Sequence, residues 1–244
     1  MIFFSKTRNF IVNFNGFISN SKASKCIYYH DIHSDNKYTE MSTPVNIFIK
    51  HIETIRKRNF EIVSNINNQK NQIKICFDDG FKGLYENLDK LHLYKIPVQI
   101  FIITSLIDTP GYLTKSELVK LSKDEFVDVQ SHTCNHHSLH ALSESIIKQE
   151  LEDSKNILED ICGKEISAIC YPKGYFNSTI IRIAKEVGYK FQYSSIPGKY
   201  FDNLYHVVKR RSLVQFADEK YLINVLRGGD NILSHWYIFK HFKS

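Results

Sequence analysis

The chain has 244 residues, 43% of them hydrophobic, with 32 Lys and Arg against 26 Asp and Glu for a net charge of +6. That length and apolar content suffice for one sizeable core, and the basic residues are spread along the chain without forming a stripe, which argues against a nucleic-acid partner. Five scattered cysteines (Cys26, Cys76, Cys134, Cys162, Cys170) without a CxxC pair exclude a thiolate zinc site and a disulfide framework, and imply free thiols in a reducing compartment. No stretch approaches the ~18 to 20 apolar residues of a membrane-spanning helix.

Residues 1–24 are expected to be an N-terminal tail, and 25–244 a single domain. The first twenty residues are apolar and basic but are interrupted by Ser5, Lys6, Arg8, Asn9, Asn13 and Asn15, unlike the continuous apolar run of a signal peptide. A terminal strand or fraying segment is the expectation there, with an amphipathic surface segment and a peripheral membrane contact as the alternative. Cys26 to Tyr29 then reads as a strand delivering His30, Asp31 and His33, a second potential ligand cluster, into a polar loop; their His-x-x-His spacing is awkward for a metal on an extended chain, and pocket lining or bonding of the loop is the expectation, with metal ligation the alternative. Thr43-Pro44 has the form of an N-cap followed by a first-turn proline, and opens a helix with Phe48, Ile52 and Ile55 on its buried face. Phe60 to Val63 reads as the next strand.

Ile73 to Phe77 is a short apolar strand that runs into Asp78, Asp79 and Gly80, with a helical pattern (Leu84, Leu88, Leu91) directly behind. Two adjacent carboxylates repel unless a cation or a shared proton lies between them, so the pair points to a site at the carboxyl end of a strand. The alternative is that both merely cap the following helix. Ile96 to Ile103 is continuously apolar and reads as a buried parallel strand; Thr114 and Glu117 have capping-box spacing. The strand Phe126 to Gln130 leads to Ser131-His132-Thr133-Cys134-Asn135-His136-His137. The four-residue spacing of His132 and His136 would put both imidazoles on one face of a helical turn. Ser143 to Cys162 is an amphipathic helix stopped by Gly163, followed by a strand at Ile166 to Cys170, a helix at Ser178 to Val187 and a strand at Phe191 to Ser194. Strand and helix alternate throughout, which implies a parallel sheet or barrel.

Asp79, His132 and His136 together make a two-histidine, one-carboxylate set. On a d¹⁰ ion such a set leaves a coordination position open, as in catalytic zinc sites. A non-haem iron oxygenase could use the same donors, but those enzymes need a jelly roll of short strands, and the βα alternation argues against one.

Cys76-Phe77-Asp78-Asp79-Gly80, then His132-Thr133-Cys134-Asn135-His136 with Leu139, then Tyr171-Pro172-Lys173-Gly174 resemble in order and spacing the first three motifs of the polysaccharide deacetylases, carbohydrate esterase family 4, with its NodB-homology domain. Tyr29-His30-Asp31-Ile32 and the Phe48 helix are similar to the N-terminal part of the exopolysaccharide and capsule branch. The resemblance covers residues 26 to 215. It implies an α/β fold, a distorted (β/α)7 barrel, and hydrolysis of N-acetyl, less often O-acetyl, groups from a glycan. Residue by residue, it makes Asp79, His132 and His136 ligands of a divalent metal, most simply Zn²⁺, and Asp78 the general base. The backbone N–H of Lys173 becomes the oxyanion donor, and Tyr171, Pro172, Lys173 and Tyr175 line the substrate groove.

Departures from the family pattern are also evident. The arginine that many members carry before the third motif's proline is absent, Cys170 and Tyr171 standing there. His137 replaces a proline after the second motif. The fourth motif is missing, the sole tryptophan being Trp236, and Leu233-Ser234-His235 is a faint fifth motif that would make His235 the acid for the leaving amine. Arg210 or Arg211 could bind substrate, although surface charge is the default expectation for both and for the basic residues Lys240 and Lys243. The competing reading is a glycan-binding protein that kept the barrel and lost turnover. With no cleavable signal and with Cys134 between two ligands, the expected setting is the cytoplasm, at the inner membrane face, with an acetylated glycan or a lipid- or nucleotide-linked sugar as partner.

Overall fold

The computed structural model describes residues 2–202 and 207–242; Lys243 lies outside them. In chain order the elements are α1 (Ile2–Ser19), β1 (Lys25–Tyr29), β2 (Asp31–His33), β3 (Ser42–Pro44), α2 (Val45–Lys57), β4 (Glu61–Ile62), β5 (Gln72–Phe77), α3 (Gly83–Glu86), α4 (Leu88–Tyr94) and β6 (Val98–Ile102). There follow α5 (Lys115–Ser122), β7 (Val127–Ser131), α6 (Glu144–Cys162), β8 (Ala168–Cys170), α7 (Ser178–Glu186), β9 (Phe191–Tyr193), β10 (Val208–Lys209), β11 (Ser212–Leu213), α8 (Glu219–Leu226) and α9 (Ser234–His241).

The main sheet runs β10-β9-β8-β7-β6-β5-β1-β11, with β4 also on β5, and every strand pair in it is parallel. β10 and β11 stand at opposite ends of that order yet are separated in the chain only by Arg210 and Arg211. The short stretch 208–213 therefore pairs first with β9 and then with β1, and brings the two edges of the sheet together. Counting it as one kinked strand, the ring is β1, β5, β6, β7, β8, β9 and 208–213, the seven-stranded distorted barrel that the family resemblance implies. Curling the sheet in this way removes exposed edges.

Alternation along the strands sorts side chains into two layers. Ile27 and Tyr29 of β1, Ile73, Ile75 and Phe77 of β5, Ile169 of β8 and Tyr171 directly after it pack outward against Phe48, Ile52, Leu91, Leu151 and Ile180 of the helices. Cys26, Tyr28, Cys76, Phe101, Cys170 and Tyr193 form a second, smaller cluster inside the ring. The periodic helices follow the sequence reading: α5 has its capping box at Thr114 and Glu117, and α6 ends at Gly163 in the left-handed region. Two local expectations are overturned. Thr43 is not an N-cap: it sits in β3, its hydroxyl donates to Gln215 O at 2.9 Å, and Pro44 itself stands at the N-cap of α2. The single helix expected after the carboxylates is broken at Asn87 into α3 and α4.

The N-terminal segment is a helix, neither a strand nor a fraying tail. α1 packs on α8 and the turn after it, and the packing is close and polar. Asn15 Nδ2 donates to Gly229 O at 3.0 Å, Asn224 Nδ2 donates to Asn13 Oδ1 at 3.0 Å, and a Cβ at Gly16 would stand 2.6 Å from the Cβ of Asn224. Below it, Lys25 is buried and donates to Asp230 Oδ1 at 2.7 Å, which pins β1 to the turn before α9. Gly16→Ala is expected to destabilise the protein: overpacking costs about 1–3 kcal/mol, more than the roughly 1 kcal/mol that alanine contributes through helix propensity. Urea unfolding checks this; an unchanged midpoint would show that α1 does not dock so closely.

Candidate metal and catalytic site

The site lies at the carboxyl ends of β5, β7 and β8, with β1 and the 208–213 stretch closing it. After β5, Asp78 is still tied to the sheet, its N–H donating to Tyr29 O at 3.0 Å. Asp79 (φ +74°) and Gly80 (φ +85°) are both left-handed, so the chain turns sharply and the two carboxylates point to different places. Leu113 N–H donating to Gly80 O and Lys82 N–H donating to Gly111 O, each at 3.0 Å, strap the 104–113 loop over this turn. Neither aspartate caps α3, whose N-cap is Lys82, so the capping alternative falls.

The histidine pair is not on a helical turn. His132 follows β7 directly, with its N–H still on Ile102 O at 2.8 Å, and Thr133 (φ +68°) and His136 (φ +54°) are both left-handed. A tight irregular loop therefore brings the imidazoles together, their ring centroids 4.9 Å apart. Buried Glu150 of α6 holds the loop, accepting from Asn135 N–H at 2.9 Å and from Asn135 Nδ2 at 2.6 Å.

Asp79 Oδ1 lies 3.5 Å from His132 Nε2 and 3.7 Å from His136 Nε2. A tetrahedral ion with ligands at about 2.1 Å sets its ligand atoms about 3.4 Å apart, so the three atoms are spaced as a shared cation requires. Asp79 Oδ1 is buried and accepts no hydrogen bond among the described residues, which a cation would remedy. His132 Nδ1 lies 2.7 Å from Cys170 O; donation there fixes the tautomer and leaves the Nε2 lone pair facing Asp79. Burial lowers the His132 imidazole to about 3 and also lowers His136, where the Lys173 charge adds to it, so both rings are neutral ligands at ordinary pH. Burial, with the Asp78 charge, raises Asp79 to about 6 against the opposing pull of His30. The donor set fits a divalent cation, which Asp79, His132 and His136 would hold.

A second triangle, Asp78, His132 and Cys170, is also close enough to hold an ion. Arg211 occupies that place instead. Its guanidinium donates Nη1–H to Asp78 Oδ1 at 2.7 Å, Nη2–H to Asp78 Oδ2 at 2.8 Å and Nη2–H to Cys170 Sγ at 2.8 Å, while Nε–H donates to Ser194 O at 3.0 Å. It is stacked over Tyr28 (4.4 Å) and Phe101 (5.3 Å). Burial holds the Cys170 thiol well above its ordinary range, so it offers no thiolate. Far from being a surface charge, Arg211 is among the most buried side chains of the protein, and it brings an arginine to the very place where the third motif lacks one. Burial alone would raise the Asp78 carboxyl, but the Arg211 charge and hydrogen bonds, helped by His132 and His30, bring it down to about 2. The adjacent carboxylates thus differ: Asp78 is ionised and clamped, and Asp79 is left for a metal.

Of the other expected residues, Lys173 (φ +57°) forms the turn after β8, whose hydrogen bonds, Gly174 N–H to Tyr171 O and Tyr175 N–H to Pro172 O, do not use the Lys173 N–H. Tyr175 is partly exposed, with its ring 4.9 Å from His140 and 5.1 Å from His241, and Pro172 is buried beneath it. Tyr171 does not line the groove. Strand alternation turns it outward, where it stacks on Phe176 and donates to Gln192 Oε1 at 2.7 Å. His235 is exposed on α9 and is not among the charges that act on Asp78, Asp79, His132 or His136. The histidine whose charge acts on both aspartates and on His136 is His30, at the end of β1, whose Nδ1 is bonded to Gln215 Oε1. Sequence reading placed His30 only as a pocket-lining residue; the parallel register of β1 with β5 was the missing information.

The polysaccharide deacetylase family matches residues 65–192, and the chain belongs to that family. It is 27% identical over 205 residues to a Staphylococcus aureus poly-β-1,6-N-acetyl-D-glucosamine N-deacetylase, covering 76% of this chain and 67% of the relative. It is 23% identical over 183 residues to YxkH of Bacillus subtilis, covering 70% of this chain and 64% of YxkH. The chain thus spans about two thirds of the length of these relatives. The fold is that of the Streptococcus pyogenes deacetylase PplD (TM-score 0.72, 19% identity, 84% of this chain and 98% of that one) and of IcaB from Ammonifex degensii (TM-score 0.70, 15% identity, 86% and 99%).

His132→Ala, His136→Ala and Asp79→Asn are each expected to abolish tight binding of one divalent metal per chain, since two remaining ligands cannot hold the ion against water. Elemental analysis after dialysis checks this, and full occupancy in any of the three removes that residue from the set. In the unsubstituted protein, affinity should weaken as the pH falls through about 6, because a proton then competes for Asp79.

Proposed function

We propose that this chain is a metal-dependent deacetylase that hydrolyses N-acetyl groups on an acetylated glycan, with Zn²⁺ as the metal. The observation that carries the proposal is the division of labour at Asp78 and Asp79: one carboxylate is held ionised by Arg211, and the other presents a buried oxygen, Oδ1, that accepts no hydrogen bond among the described residues and lies beside two neutral histidines. The cation supplies Lewis acidity at the amide carbonyl and lowers the pKa of water. Asp78 takes the proton from the attacking water, and Arg211 keeps its oxygens oriented and charged. The Lys173 N–H serves the developing oxyanion, a donor typically worth about 2.7–4 kcal/mol. His30, held through Nδ1 by Gln215, presents Nε2 and protonates the leaving amine. Tyr175 and His140 form the wall on which a sugar ring packs. The Staphylococcus aureus relative supports an amide as the bond cleaved and a polymer of N-acetylglucosamine as the substrate class. The cytoplasmic setting is part of the proposal, supported by five free cysteines, three of them buried around the site and the ring interior.

Acetate release from N-acetylglucosamine oligomers by the metal-loaded protein is the direct test; a loaded protein that binds the oligomer and releases no acetate would favour the glycan-binding reading. Asp78→Asn should retain metal and lose about 10²–10⁴ in kcat. The acid limb of the pH profile tests Arg211. With metal held saturating, so that proton competition at Asp79 does not set this limb, activity needs Asp78 ionised and falls as the pH drops through its pKa. Arg211→Lys removes the fork, burial then raises the carboxyl, and the acid limb should move to higher pH. His30→Ala should lower kcat and leave metal content unchanged; unaltered turnover would exclude His30 as the acid.

A further inference from the structure

α1 is amphipathic in the inverted sense. Its inner face, applied to α8, carries Arg8, Val12, Asn15 and Gly16, whereas Phe10, Phe14, Phe17 and Ile18 face outward, Phe17 being 76% exposed. Phe10 and Phe14 stack on one another at 6.3 Å, and with Phe17 they line a groove of about 780 Å³ toward Ile223 and Arg227 of the α8 side, with Asp218, Glu219 and Lys220 at its end. A helix that spends its polar face on the protein and leaves its aromatic face bare presents a surface for a further apolar phase. On the inner face of α1, Arg8 bonds the hydroxyls of Tyr221 and of Tyr237 in α9, and α9 itself exposes Trp236 and Phe239, the latter 85% exposed.

Two observations select what covers it. Residues 1–22 contain Lys6, Arg8 and Lys22 and no acidic residue, and residues 231–244 contain Lys240 and Lys243 and no acidic residue, although the chain has 26 acidic residues elsewhere. Lys240 lies over the Trp236 ring at 5.4 Å, an aromatic and cation pair suited to a headgroup layer. The exposed aromatic side chains stand out from two helices, and among the described residues no helix is long and apolar enough to cross a membrane. The surface also leads to the site. Trp236 packs on Tyr237 (4.9 Å), Tyr237 on His241 (5.2 Å) and His241 on Tyr175 (5.1 Å), the ring at the wall of the candidate groove.

We propose that the outward face of α1, with α9, is a docking surface for an anionic lipid bilayer, which sets the mouth of the site beside the headgroups where a lipid-linked acetylated glycan would stand. The substrate part rests on the deacetylase reading; the docking part does not. The test is co-sedimentation of the full chain with phosphatidylcholine vesicles, with and without phosphatidylglycerol. Binding is expected with phosphatidylglycerol and to weaken with salt, and the Phe10→Ser, Phe14→Ser, Phe17→Ser variant should lose it by at least about tenfold. A second variant, Phe239→Ser with Lys240→Gln, guards against misfolding of the first and should also bind less. The same variants should release acetate from a soluble oligomer at the unsubstituted rate. The proposal is overturned if the chain does not sediment with anionic vesicles, if both variants sediment as before, or if the aromatic face instead forms a concentration-dependent dimer without vesicle binding. Failure of the deacetylase reading would look different: no acetate from any variant, with vesicle binding intact.

Discussion

The pairing of Arg211 with Asp78 is the constraint around which this site is organised. A buried carboxylate next to a second carboxylate would take up a proton or separate from it; a fully buried guanidinium, donating to both oxygens of Asp78, prevents both. Removing one member of such a pair would leave an uncompensated buried charge, generally a loss of about 3–5 kcal/mol. The same guanidinium touches Cys170 Sγ and so takes up the triangle of Asp78, His132 and Cys170, leaving the triangle of Asp79, His132 and His136 to a cation. One interaction therefore decides which aspartate is clamped and ionised and which presents an unbonded oxygen that could meet a cation.

Arg211 can do this because of where the ring closes. The stretch 208–213 pairs with β9 and then with β1, and Arg211 sits in the kink between those pairings, its own N–H on Ile196 O at 2.9 Å and its side chain turned inward. Closure of the barrel and ionisation of Asp78 are thus the same event. A substitution that loosens the β11 pairing would be felt at the site even without touching it, through the orientation of the guanidinium. The left-handed residues Asp79, Thr133, His136 and Lys173 show the complementary side of this economy: each of the three loops at these strand ends takes a left-handed turn, the Asp79 turn held by the 104–113 strap and the histidine loop by α6 through Glu150.

The helices at the chain ends belong to the same assembly. Lys25 joins β1 to Asp230, Asp230 accepts from Ser212 of β11, and the turn that carries Asp230 is also the one on which α1 docks. Through α9, His241 reaches Ser195 and the Tyr175 ring. α1 and the inner wall of the site are therefore connected through packed rings and the buried Lys25–Asp230 pair.

Much of this was legible in the sequence, because it depends on local chemistry. Apolar runs ending in Asp-Asp-Gly and His-x-x-x-His identified strand ends and their donors, and the βα alternation identified parallel strands, with the motif resemblance pointing to a closed ring, since period, capping and turn residues act within a few positions of one another. What the sequence could not decide is which side chains meet across strands. Tyr171 and Cys170 are neighbours in the chain but face opposite sides of β8, so the tyrosine expected in the groove lies in the helix-packed layer. His235 satisfied a short motif yet stands on the exposed side of α9, whereas His30, more than forty residues before the aspartates, is brought to them by the pairing of β1 with β5. Thr43 had the spacing of a cap and became a strand residue because a β-bridge to Ile32 and a bond to Gln215 were available. Local pattern determined the donors and the fold class; the burial of Arg211 against Asp78, 133 residues away in the chain, was decided only by ring closure, because charge pairing at such separation has no signature short of the tertiary structure.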